Sequence, residues 1–125
     1  MAEEIITRHY LRTHPNEVFV FGDNKLRRGH GGAAALRDEP NVYGFITQKR
    51  PSAANDAHYH PTEYREIYRK EIFKLSLVIA TNPTKTYLIS RVGGGLANTF
   101  RIFQKVIEPN IKKDIGGLSN VRFLW

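Results

Sequence analysis

The order of residues predicts one α/β layered domain, a mixed β-sheet with helices on both faces, and three observations carry that prediction. Strand-like and helix-like segments alternate along the chain, two of the strands run directly into glycine-rich loops that precede helices, and one long segment keeps an unbroken helical stripe. At 125 residues the chain can fill one core and not two, so 1–125 reads as a single domain.

Glu4 to Tyr10 carries Ile5, Ile6 and Tyr10 among charged neighbours and reads as an edge strand. His14, Pro15 and Asn16 turn the chain into a second, more buried strand over Glu17 to Gly22. Gly31 to Asp38 reads as a short helix built on Ala33, Ala34 and Ala35 and ended by Pro40. Val42 to Thr47 has the composition of a short strand or an ordered aromatic loop, and is read here as the loop. Gln48 to Pro61 is polar, holds two prolines and lacks periodicity, which fits a surface loop with the character of a mobile lid. Thr62 to Ala80 is the clearest helix, because Tyr64, Ile67, Tyr68, Ile72, Leu75, Val78 and Ile79 recur at steps of three and four. Thr86 to Val92 is the next strand. A helix capped by Asn98 or Thr99 and running to about Ile111 follows, with Phe100, Phe103, Val106, Ile107 and Ile111 inward, and Val121 to Trp125 closes the sheet.

Bulk composition narrows the function classes. The absence of cysteine removes disulfides, thiolate nucleophiles and thiolate zinc sites. No apolar run approaches the roughly 20 residues that span a bilayer, and the acidic start MAEEIITRHY is unlike a signal peptide, so the expected setting is cytoplasmic with no membrane partner. A net charge of +7 favours anionic partners, which leaves both nucleic acid and a small nucleotide ligand open. Oligomeric state leaves no trace in the pattern.

Ligands in layered α/β folds sit at the carboxyl ends of strands, and both glycine loops belong there. Gly22, Asp23 and Asn24 end one strand, and Gly31, Gly32 and Ala33 lie in the loop that follows. The strand over Thr86 to Val92, which carries Arg91 near its end, opens into Gly93, Gly94, Gly95 and Leu96. Converging backbone N–H groups from the two loops would hold a diphosphate, with Arg91 as a further phosphate contact. Neither loop has the Lys-Ser/Thr ending of a P-loop, and GHGGAA lacks the spacing of the dinucleotide fingerprint. For catalysis the loop offers Asp23 as a base, His30 as an acid or base and Lys25 as an electrostatic partner. His58 and His60 lack a matching carboxylate pattern, so neither metal nor cofactor is assigned. Tyr43 and Phe45 could stack on a base, and burial against the sheet is the better reading.

FGDN followed by KLRRGHGGAAAL resembles the macro domain signature, and ISRVGGGLA is similar to that family's second phosphate loop. Small phage and bacterial proteins with an F-G-x-N loop and then H-G-x-G-A-A look closer still. The resemblance spans about Val18 to Ile111 and implies a three-layer macro-like fold that binds ADP-ribose or a related NAD-derived nucleotide. It places Asn24 at the distal ribose, Gly31 and Gly32 beside that ribose, and Gly93 to Leu96 at the diphosphate. Hydrolysis of an ADP-ribosyl linkage, with Asp23, Asn24 and His30 as catalytic candidates, is the activity such a fold would support. Phe21 stands where the motif has its first asparagine, Ala34 or Ala35 where hydrolytic members carry an aspartate, and no aspartate occurs near Tyr10. A basic nucleic-acid-binding module and a protein that sequesters a nucleotide without chemistry are the alternatives.

Overall fold

The computed structural model describes residues 3–125. Its centre is a four-stranded sheet in the order β2-β1-β3-β4, with β1 at Glu17–Asn24, β2 at Val42–Gln48, β3 at Thr86–Ile89 and β4 at Val121–Phe123. All three strand pairings are parallel. The expected mixed sheet is therefore corrected to a parallel one. Burial follows from that topology, since crossovers in parallel sheets lay chain over both faces.

Val18 and Val20 of β1, Phe45 of β2 and Tyr87 and Ile89 of β3 point to one face, where they meet helix α2, Pro61–Thr81. The predicted helical stripe is the buried one, with Tyr64, Tyr68, Ile72, Leu75 and Ile79 in the core. Leu88 and Phe19 point to the other face and pack with Leu11 of helix α1, Arg8–Thr13, and with Leu36. Alternation along each strand thus splits the apolar residues into a large cluster and a small one.

Four local expectations need correction. The segment read as a first strand is extended only as far as Thr7, whose hydroxyl then caps α1 by accepting from the Tyr10 N–H at 3.0 Å. Helical spacing lets Arg8 and Arg12 both reach Glu39, at 2.6 and 3.0 Å, an arrangement no strand allows. Val42–Gln48, read as a loop, is strand β2, with Phe45 fully buried and Tyr43 half-buried.

Gly31 to Asp38 forms only a three-residue 3₁₀ turn at Gly32–Ala34 followed by further turns, because Gly32 takes a left-handed φ of +53° and each later bond closes over three residues. The helix expected from Asn98 to Ile111 is broken by Arg101 at φ +65° into a 3₁₀ turn at Leu96–Phe100 and a π-helical turn at Phe103–Ile107, and Pro109 separates these from α3, Ile111–Ile115. Asn98, expected to cap that helix, lies inside the 3₁₀ turn instead, and its Oδ1 accepts from the Phe103 N–H at 2.9 Å across the break.

The segment 48–61, expected to be a surface loop, is exposed over most of 51–56 and carries internal ties. Gln48 Nε2 donates to the Ser52 carbonyl at 2.7 Å, the Lys49 N–H donates to the Ala57 carbonyl at 2.8 Å, and Ala57, His58 and Tyr59 are buried.

Gly44 on β2 is a packing requirement. A Cβ there would lie 2.2 Å from Asp23 Oδ2 and 2.8 Å from Arg27 Nη1. Gly44→Val is expected to lower the stability by about 1–3 kcal/mol through this overpacking, read as a shift of the urea midpoint with an unchanged slope.

Candidate functional site

Strand order β2-β1-β3-β4 makes the chain leave β1 toward one edge and leave β3 toward the other, so a crevice opens between their carboxyl ends. A cleft of about 770 Å³ occupies that place. Both glycine loops line it, through Gly31, Gly32 and Ala33 on one side and Gly93, Gly95 and Leu96 on the other.

Gly22 is the point where the loops meet. A Cβ added to it would stand 3.6 Å from the Gly93 nitrogen, 3.9 Å from the Ala33 Cβ and 3.3 Å from Thr47 Oγ1. Both loops would be in ordinary contact with that Cβ, and Thr47 is the neighbour that would have to give way. Gly93 is held from below, since its φ is +80° and a Cβ would come within 2.5 Å of Ile107 Cδ1. Among the described residues nothing accepts from the N–H groups of Gly31, Gly32 and Ala33, or from those of Gly93, Gly95 and Leu96. All six of these residues line the cleft. The 3₁₀ turn supplies individual donors rather than the end of a long helix.

A buried ion cluster fixes the first loop. Asp23, with a side chain only 2% exposed, accepts from Arg37 Nη2 at 2.6 Å and Nη1 at 3.1 Å, from Arg27 Nη1 at 3.0 Å and from the Asn24 N–H at 2.8 Å. Burial pushes its carboxyl up, and the hydrogen bonds from Arg37, Arg27 and Asn24 outweigh that and hold it below the ordinary carboxylate value. Arg37 also donates to the carbonyls of Gly29 at 2.8 Å and Arg28 at 3.0 Å, so one guanidinium ties the strand end to the loop. Arg27 holds a left-handed φ of +57° while bonding the Gly44 carbonyl at 2.6 Å.

Asn24 lines the cleft, as Asp23 does, and braces the same loop. Its Nδ2 donates to the Arg28 carbonyl at 2.7 Å, and its Oδ1 accepts from the Leu26 N–H at 3.1 Å. Lys25 ties the strand end to β2 through its N–H and the Gln48 carbonyl at 2.8 Å. His30 stands outside the cleft lining and meets Asp38 at 2.9 Å, both side chains exposed. Gly94 is likewise absent from the lining and packs against Arg91. Arg91 is at the cleft, with its guanidinium 4.1 Å over the Phe103 ring and its N–H on Glu3 at 2.8 Å. His58 is buried with Nδ1 2.8 Å from the Ala54 carbonyl, and His60 precedes α2 and stacks on Phe100, so the two do not share a site.

Residues the sequence pattern did not single out complete the cleft. Thr47 and Gln48 come from the end of β2, Pro51, Ser52 and Ala53 from the loop that follows it, and Ser90 from the end of β3. Strand-type residues in VYGFIT were the available signal for the first two, because a strand there must end beside Asn24. Nothing local marks Arg37, which lies 14 positions from its partner Asp23.

Residues 1–97 match a family of unknown function, DUF7831. The chain belongs to this family. The DUF7831 match contains every residue that lines the cleft, from Glu3 to Ala97, and stops before the π-helical turn, α3 and β4. No curated protein and no solved structure matches the chain.

Replacing Arg37 by Met would leave the Asp23 charge buried with Arg27 as its one cation. Arg37→Met is expected to cost about 3–5 kcal/mol at pH 7, measured by urea denaturation. Asp23 has a depressed folded pKa, so its stabilisation is complete above the unfolded value of about 3.9 and is lost as pH falls through the lower folded value. The difference between wild type and Arg37→Met is therefore expected to narrow as the pH is lowered below that range.

Proposed function

We propose that the cleft binds ADP-ribose or a related NAD-derived nucleotide, with the diphosphate between the two glycine loops. One observation supports this above the others: two sets of N–H groups without a protein acceptor, from the loops after neighbouring strands, belong to residues that line one cleft on either side of Gly22. Such donors suit phosphate oxygens, and each charge-assisted bond contributes roughly 1.5–3 kcal/mol. Arg91 and Arg28 stand at the same cleft and add positive potential. At about 770 Å³ the space is in the range of nucleotide-sized ligand sites, which run to roughly 1,000 Å³.

Binding without turnover is the form of this reading that the geometry favours. Asp23 has its acceptor positions filled by two arginines, and a carboxylate with a depressed pKa is a weak base. His30 lies outside the lining. Asn24 braces the loop in this arrangement. The net charge of +7 sustains one competing reading, a nucleic-acid-binding surface.

Calorimetric titration with ADP-ribose is the test. Saturable heat and a rise in melting temperature with ligand concentration are expected. Gly31→Glu and Gly95→Glu should each abolish binding while the protein stays folded, because a Cβ at either position meets nothing within 4 Å. No heat and no thermal shift at roughly millimolar ligand would sink the proposal. Tight oligonucleotide binding with a steep salt slope, untouched by either glutamate, would put the nucleic-acid reading in its place.

A further inference from the structure

We propose that the outer face of α2 is a docking surface for an acidic amphipathic segment of a partner protein. Arg65, Arg69, Phe73 and Leu77 follow one another at intervals of one helical turn and so form a single stripe. Phe73 and Leu77 are 53% and 52% exposed, whereas Tyr64, Tyr68, Ile72, Leu75 and Ile79 of the same helix are buried. Beside the stripe lies a groove of about 530 Å³, well apart from the cleft at the strand ends, floored by Tyr68, Ile72 and Val106.

Charge selects the occupant. The neighbouring cations of α2 are already matched, Lys70 by Glu66 at 3.7 Å and Lys74 by Glu71 at 3.6 Å. Among the described residues, Arg65 and Arg69 have no acidic partner. A second copy of this chain packed by the same stripe would set its own Arg65 and Arg69 near these arginines, which opposes self-association there. Phe73 and Leu77 give a polyphosphate nothing to bind, so an occupant that covers the whole stripe carries an apolar side chain beside its anionic groups. A protein segment with two carboxylates about 6 Å apart, followed one turn later by a large apolar side chain, matches the stripe in both charge and spacing.

The test uses the full chain and a fluorescein-labelled helical peptide with two glutamates one turn apart and a leucine one turn beyond. Fluorescence anisotropy should show saturable binding that Arg65→Glu/Arg69→Glu weakens by at least about tenfold and Phe73→Ala by about tenfold. Lys25→Glu/Lys85→Glu carries the same change in net charge and should shift the affinity by less than about threefold. Circular dichroism of each variant establishes that it is folded. The proposal is overturned if folded wild type fails to bind the peptide at about 1 mM, or if the Lys25/Lys85 variant loses as much as the arginine variant. Tighter capture of a single-stranded oligonucleotide or of phosphatidylserine vesicles through Arg65 and Arg69 overturns it as well.

Discussion

A buried carboxylate at the end of the central strand governs the geometry around it. Asp23 cannot remain charged inside the protein without cations, and Arg37 and Arg27 provide them. Arg37 arrives from the turns after the glycine loop and carries the carbonyls of Arg28 and Gly29 with it. Arg27 adopts a left-handed backbone to reach back, and its guanidinium extends to the Gly44 carbonyl on β2. One charge therefore sets the loop's path, the residue allowed opposite it on the edge strand and the placement of the N–H groups over Gly22.

Much of this was legible in the residue order, for physical reasons that differ from element to element. The stripe of α2 and the apolar run of β1 announce themselves because burial imposes a period on the side chains. The two glycine loops were legible as a pair because both follow strands, and parallel strands bring their ends to one edge. The failures are of another kind. Ile5, Ile6 and Tyr10 look like a strand until Thr7 caps a helix whose arginines satisfy Glu39, a residue on a distant turn. VYGFIT is short enough to be either loop or strand, and pairing with β1 decides it. The apolar spacing after Asn98 correctly names Phe103, Val106, Ile107 and Ile111 as core, yet it cannot register the left-handed Arg101 that breaks the helix. Long-range partners also explain why Asp23 looks reactive in the sequence and is a counter-ion in the fold.

Two asparagines perform a related task at the opposite end of the sheet. Asn41 Nδ2 lies 2.9–3.2 Å from the carbonyls of Leu11, His14 and Glu17, and Asn120 Nδ2 lies 3.0–3.2 Å from those of Ile79, Asn82 and Lys85. Each amide gathers the carbonyls of a helix end and the turn into the next strand, where regular structure leaves acceptors unpaired. Neither asparagine carries a local motif. The turns feeding β1 and β3 are thus fixed from behind, and the strand ends that frame the cleft inherit that rigidity.

The meeting of the two loops over Gly22 has a consequence for how the molecule is assembled in time. Gly22 and Gly93 are far apart in sequence and touch only after β3 has docked beside β1, which requires α2 to have crossed the sheet first. The site is a non-local feature of the fold, so any molecule that bridges both loops stabilises the whole domain against unfolding rather than one segment of it.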